Sequence, residues 1–298
     1  MKKICLIIGA AVLFNCAARA ELIAYEPFQY KEGNGESLEG EGTGFGWAGG
    51  WTLSVPPGYV PKNQPPNYAI FTRHSNYANG VPLYGFNYAD TNGLALPVRG
   101  KVYAWLRTAH RWQDGFWDGF PASRLFAQPH EVPVGGSIWF SILAMQNSSA
   151  ESTTARNYIQ LNPAQGLWQI VGCPDASSGS LAILQWGILD RSGKETSAFA
   201  PAVQSGQPMF LLVRVTITSP TVCSVSLWVN PNDMSSVTAL GSPHAQRAAI
   251  PTTNKIFTGL TFHTDIRRSF SFDEIRVGTE LYDVTRRDPF GPTLFIMK

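Results

Sequence analysis

The sequence predicts an all-β protein, a two-sheet antiparallel sandwich folded as one domain over residues 21–287. Three observations carry this. About ten short runs alternate apolar and polar residues at the two-residue period of a strand with one buried face. The chain of 298 residues holds 28 Gly and 21 Pro, with only 15% charged and 12% aromatic residues, a composition suited to many short strands joined by tight turns. Beyond the N-terminal segment no stretch shows helical periodicity, and sandwiches of about 250 residues commonly stay undivided.

The first twenty residues stand apart. Lys2 and Lys3 precede an apolar run from Ile4 to Phe14, and Ala18-Arg19-Ala20 follows. That is the three-part pattern of a cleavable export signal, with cleavage after Ala20. The run is about half the roughly 20 residues a membrane-spanning helix needs. A lipid-anchored alternative rests on Cys16, but Leu13-Phe14-Asn15 is a poor lipidation context because small residues normally precede the modified cysteine. The expected location is therefore secreted, periplasmic or at the cell surface.

Cleavage takes Lys2, Lys3 and Arg19 from 23 basic side chains against 21 acidic ones, leaving a net charge of about −1. No Lys/Arg cluster remains to neutralise a run of phosphates, which argues against nucleic acid as a partner. Residues 288–298 form a short tail, too short for a membrane anchor. The sequence carries no signal of oligomeric state.

Strands are expected over 22–25, 69–72, 101–108, 137–145, 158–161, 168–171, 181–186, 259–263 and 271–277. The plainest pattern lies between them. Leu211, Val213, Val215 and Ile217 alternate with polar or outward positions, Ser219-Pro220 turns, and Cys223, Val225, Leu227 and Val229 return to Asn230-Pro231. This predicts an antiparallel hairpin. Cys173 and Cys223 are the pair available for one disulfide, closing a loop of about 50 residues worth about 4 kcal/mol in the chain-entropy account; two buried thiols are the alternative. Neither has a His or second Cys at metal-ligand spacing.

The two ends carry a further pattern. Ile23-Ala24-Tyr25-Glu26-Pro27-Phe28 is followed by Gly44-Phe45-Gly46-Trp47 and Gly49-Gly50-Trp51, and the chain closes with Phe272-Asp273-Glu274-Ile275-Arg276-Val277-Gly278-Thr279 and Asp283-Val284-Thr285. With Ser226-Leu227-Trp228-Val229-Asn230-Pro231, these resemble, in order over residues 23–285, secreted bacterial sandwiches of the concanavalin A-like lectin/glucanase type, close to the LamG jelly rolls. The resemblance implies a jelly roll whose first and last strands are neighbours, with one concave sheet of the kind relatives use for carbohydrate or protein ligands. It implies no enzyme. Many relatives end in a hydrophobic sorting tail that this chain lacks.

Catalytic patterns on such a sandwich are not found. Glycosidases need two carboxylates flanking the scissile bond, usually alternating on one strand, and neither E-x-D-x-E nor E-x-D-x-x-E occurs. Asp273 and Glu274 are adjacent, so strand alternation sends them to opposite faces. Glu32, Glu36, Glu39 and Glu41 lie in a Gly-rich turn. β-Elimination needs a base and a cation, but His74, His110, His130, His244 and His263 are scattered, and no G-x-S-x-G elbow is present.

The candidate binding segment is Arg107 to Phe120, where Trp112, Phe116, Trp117 and Phe120 interleave with Asp114-Gly115 and Asp118-Gly119. Flat aromatic faces stack on sugar rings while Arg111, Asp114 and Asp118 suit hydroxyls. The competing reading is an aromatic cap folded onto one end of the sandwich. Calcium at Asp114 and Asp118 would need about six oxygens, and only two carboxylates are close, so no cofactor is assigned. Trp47 and Trp51 read as packing residues, with Tyr59 and Tyr68 freer to lie at the surface. The functional expectation is a non-catalytic module that binds carbohydrate or another cell-surface component, with a structural or adhesive envelope protein as the alternative and a polysaccharide hydrolase or lyase behind both.

Overall fold

The computed structural model describes residues 21–30, 36–53, 68–72, 88–96, 102–107, 121–146, 157–163, 168–171, 186–190, 208–252, 255–264 and 269–285. In chain order the strands are β1 (Leu22–Glu26), β2 (Glu36–Ser37), β3 (Thr52–Leu53), β4 (Tyr68–Thr72), β5 (Val102–Arg107), β6 (Ala122–Glu131), β7 (Ser137–Gln146), β8 (Asn157–Pro163), β9 (Trp168–Val171), β10 (Gly187–Asp190), β11 (Met209–Ser219), β12 (Val222–Val229), β13 (Ala245–Pro251), β14 (Ile256–Thr264) and β15 (Ser269–Gly278). One short helix, α1 (Leu281–Thr285), follows.

These strands form the expected two-sheet antiparallel jelly-roll sandwich. The larger sheet has nine strands in the order β13-β12-β11-β7-β15-β5-β4-β2, with β1 added against β15; the smaller has six, β10-β9-β8-β14-β6-β3. The hairpin expected around Ser219-Pro220 is β11 and β12, in register from Leu211 opposite Val229 to Ile217 opposite Cys223. Its alternating apolar set, including Cys223, faces the core between the sheets. Cys173 lies outside the described residues.

Two apolar layers explain the sandwich. The inner layer joins Ile138, Phe140, Ile142, Val213, Val225 and Phe272 of the larger sheet to Phe126, Ile159, Leu161, Leu260 and Phe262 of the smaller. Phe262 and Phe272 stack across the gap at 4.1 Å, and Trp51 meets both edge-on or tilted at 5.5 and 5.8 Å. A second layer lies on the far side of the larger sheet. There Trp139, Leu143, Phe210, Leu212 and Trp228 are covered by Leu96, Met234, Leu240, Leu281 and Val284. Among the described residues, the larger sheet thus carries an apolar layer on both faces.

The motifs at the two ends of the chain are structural. Leu22 pairs with Gly278 and Glu26 with Ile275, so β1 and β15 are neighbours. Glu21 N donates to Thr279 Oγ1 at 2.9 Å. Tyr25 Oη donates to Glu274 Oε2 at 2.7 Å, and the Arg276 guanidinium, 3.4 Å from the same carboxylate, lies over the Tyr25 ring. Glycine is required where the 44–46 segment crosses β1: a side chain on Gly44 (φ +74°) would begin 1.8 Å from Tyr25 O, and one on Gly46 (φ +79°) 2.0 Å from Ile23 O. Trp51 is fully buried and donates to Tyr30 Oη at 2.9 Å, while Trp47, half-buried, donates to Tyr25 O at 3.0 Å. Both are the packing residues their place in the motif implied.

Five elements were not anticipated: β2, β3, β6, β13 and α1. Of the run expected over 181–186, residues 181–185 lie outside the described residues, and Trp186 is buried just before β10, which begins at Gly187. On β6 the usual signal is inverted, because Arg124 points inward at 4% exposure while the next residue, Leu125, points outward at 53%.

Candidate functional site

Strand register assembles a polar row on the outer face of the six-stranded sheet. Thr52 of β3 is opposite Ser123 of β6, Ser123 opposite Thr261 of β14, Thr261 opposite Gln160 of β8, and Gln160 opposite Gln169 of β9. The core positions Ala122, Leu260, Phe262, Ile159 and Leu161 flank these residues in sequence, so alternation turns Ser123, Thr261 and Gln160 away from the core. Thr52 is exposed, Ser123 and Gln160 are partly exposed, and Thr261 is enclosed between its neighbours, with its hydroxyl 2.9 Å from that of Ser123.

Adjacent strands are about 4.8 Å apart, close to the length of one pyranose unit, and every residue type in the row hydrogen-bonds without charge. Beside the row, Leu125 pairs with Gly259, which pairs in turn with Asn162. Gly259 is buried, and a Cβ on it would lie 2.3 Å from Arg124 O. The exposed Leu125 supplies an apolar margin. The two apolar clusters of the described residues lie between the sheets and beyond the larger sheet, and neither covers this face.

The edge of the row is held from behind. Arg124 forms a buried ion pair with Glu26 of β1, on the opposite sheet. Its Nε donates to Gly49 O and its Nη2 to Thr43 O, both at 3.0 Å, and its guanidinium lies 4.8 Å from the Trp47 ring centroid. Glu26 Oε1 also accepts from Phe28 N and Thr43 Oγ1, each at 2.7 Å. Burial pushes the Arg124 guanidinium down to about 9, which leaves it cationic at neutral pH.

The sequence-chosen binding residues Arg111, Trp112, Asp114, Trp117 and Asp118 lie outside the described residues. Their segment connects Arg107, at the end of β5 in the larger sheet, to Ala122, at the start of β6 in the smaller. It therefore enters the smaller sheet directly before Ser123 of the polar row.

The acidic residues behave differently from the simple alternation argument. Register against β7 shifts between Asp273 and Arg276, and Glu274 adopts φ +50°, a β-bulge in which alternation fails. Asp273 and Glu274 are both fully buried, in a sheet that carries an apolar layer on each face. The other buried carboxylates also hold internal donors: Asp90 accepts from the amides of Asn92, Leu94 and Met234, and Asp283 from the amide of Glu280. Glu39 is exposed and accepts from Leu53 N at 2.6 Å, so it braces β3 as well as meeting solvent.

Among the described histidines, His244 Nδ1 accepts from Val229 N at 3.1 Å, and burial lowers its pKa; burial likewise lowers that of His130. His263 pairs with Tyr158 in the strand register. His74 and His110 lie outside the described residues, as do Tyr59, Glu32 and residues 1–20. Among the described residues, no group of three His, Cys, Asp or Glu could hold a metal ion, and no helix is long and apolar enough to cross a membrane. A separate cavity of about 320 Å³, lined by Met234, Val237, Leu281 and Tyr282 with two serines and Glu280, lies against α1.

No protein-family model and no curated protein sequence matches the chain. Solved structures similar to it include the carbohydrate recognition domain of Emp46p, at 9% identity over 83% of this chain and 98% of that one with a TM-score of 0.40. Others are peanut lectin, at 10% identity over 77% and 97% with 0.37, and the endo-β-1,4-glucuronan lyase of the fungus Trichoderma reesei, at 12% identity over 72% and 96% with 0.37. Binding proteins and lyases stand side by side among them. At these identities and scores they assign no activity, and the fold description rests on the sheet order.

Proposed function

We propose that the protein is an exported, non-catalytic module that binds an uncharged polysaccharide along the outer face of its six-stranded sheet. The observation that carries this is the uncharged register row Thr52, Ser123, Thr261 and Gln160, continued in the backbone pairing by Gln169, on a sheet face that, among the described residues, neither apolar cluster covers. Hydroxyls and carboxamides both donate and accept, as sugar hydroxyls do. The export half of the proposal is supported by the tripartite segment over residues 1–20. In this reading Trp112 and Trp117, in the chain segment between Arg107 and Ala122, are the candidates for ring stacking. Among the described residues, the buried carboxylates Glu26, Asp90, Glu274 and Asp283 hold internal donors, which supports the non-catalytic reading.

The test uses the chain from Glu21 onward on an array of neutral and uronate polysaccharides. Binding of a neutral polymer without cleavage is expected. Gln160→Ala is expected to weaken it about fivefold at unchanged melting temperature, the worth of one hydrogen bond of about 1 kcal/mol. Binding confined to uronates, release of unsaturated sugars, or no binding at all would overturn the proposal.

A further inference from the structure

The polar row ends on β3, and β3 is too short to place itself. It consists of Thr52 and Leu53, each paired with one residue of β6. What precedes it therefore determines where Thr52 sits. The segment from Gly40 to Trp51 folds back on itself, with Gly40 N donating to Trp51 O and Trp51 N to Glu41 O, both at 2.8 Å. It is laid along β6 through Ala48 N to Leu125 O and Ala127 N to Gly46 O. Its interior is filled by the Arg124 guanidinium. Three acceptors from three different places converge on that group: the Glu26 carboxylate from the opposite sheet, the Thr43 carbonyl, and the Gly49 carbonyl three residues before Thr52.

The fit around the guanidinium is close. A side chain on Gly42 would begin 2.8 Å from Arg124 Nη2, and one on Gly50 2.1 Å from Gly40 O. Thr43, which gives its carbonyl to Arg124, also donates its hydroxyl to Glu26. A buried ion pair is a costly way to fill space, because apolar residues of similar volume are often as stable. What it adds here is directionality, since the planar fork of an arginine fixes the angle as well as the distance of its acceptors.

Resting on the glycan-binding reading, we infer that Arg124 and Glu26 are positioning residues of the binding face: their cross-sheet pair holds the 41–50 segment so that Thr52 completes the polar row. Neither side chain touches the ligand. Their effect is confined to the β3 end, so it is felt by oligosaccharides long enough to reach Thr52 and not by shorter ones held at the Gln160 end.

The experiment measures dissociation constants for a ladder of neutral oligosaccharides on the chain from Glu21 onward. It compares the unsubstituted protein with Thr52→Val, Arg124→Lys, the paired Glu26→Gln/Arg124→Met, and each of the last two combined with Thr52→Val. The paired substitution leaves no buried charge unmatched, and Arg124→Lys keeps the charge while losing the fork, so a folded variant is available if the other fails. The expected result is a loss of about fivefold in affinity for the longest ligands only, equal in Thr52→Val and the Arg124 variants, with no further loss when they are combined. Amide exchange at Trp51 and Leu53 is expected to quicken at least tenfold in the Arg124 variants without ligand. Full retention of the length-dependent gain in both Arg124 variants, or multiplicative losses with Thr52→Val, would overturn the inference while the glycan reading stands. An unsubstituted protein that binds no neutral glycan ends that reading, and the positioning role with it.

Discussion

Tyr25→Phe removes one oxygen from the clasp between the first and last strands. The lost bond is the 2.7 Å donation from Tyr25 Oη to Glu274 Oε2, in a place where both residues have no exposure. Burial, and after it the neighbouring Glu274 carboxylate, raise the Tyr25 pKa above its ordinary value, so the phenol is a donor throughout the working pH range. A hydrogen bond to a charged group contributes about 1.5–3 kcal/mol. For a domain of this size, 1 kcal/mol moves the melting temperature by about 2–4 °C. A fall of about 4–8 °C is expected by calorimetry, with an unchanged far-ultraviolet spectrum. Glu274→Gln isolates the charge and is expected to fall as well, because Arg276 loses its anionic neighbour. A melting temperature within 1 °C of the parent for Tyr25→Phe, where an ordinary surface change stays within about 0.5 kcal/mol, would refute the view that this bond fastens β1 to β15.

Two further outcomes are expected. Gly44→Ala should destabilise by about 2–4 kcal/mol, because the methyl would meet Tyr25 O at 1.8 Å in a left-handed backbone, whereas Gly49→Ala, with no atom within 4 Å, should stay within about 0.5 kcal/mol; urea titration of the pair checks this. Burial lowers the folded-state pKa of His244 below its ordinary 6.5, so the unfolded chain takes up a proton first as pH falls. Stability is then fully present above about 6.5 and is lost as the pH drops from there toward the folded-state value. His244→Asn should flatten that part of the stability–pH curve; an unchanged slope would assign it to other groups, His130 among them.

Sandwich architecture was legible wherever apolar and polar residues alternate in the ordinary sense, as on β11 and β12. It was illegible on β6, where Arg124 is buried by its ion pair and Leu125 is exposed, so the hydropathy pattern runs backwards. β13 was missed because Ala245-Gln246-Arg247-Ala248-Ala249 has small side chains and a weak period. The end motifs were readable as a fold signature, and the structure shows why: their glycines and aromatics are used up in packing 44–51 against β1. The polar row was not readable, since its members are spread from Thr52 to Thr261 and become neighbours only through register. Aromatic residues from Trp112 to Trp117 drew notice because they are adjacent in sequence, but they lie outside the described residues. At Asp273-Glu274 a register shift interrupts simple alternation, and nothing in the sequence signalled that both residues would be buried.

Because β1 finds its partner in β15, the bond from Glu21 to Thr279 spans 258 positions of chain. The ribosome has made almost the whole polypeptide before β1 can meet β15, although Tyr25 can bridge to Phe45 as soon as that segment emerges. Contacts of such long sequence separation form slowly, and β15, which joins β7 to β5 and receives β1, is among the last strands made, so the larger sheet is completed only when the chain is nearly finished. The same arrangement makes the trailing end the trigger: until residues near 278 are available, β7 and β5 have no strand between them.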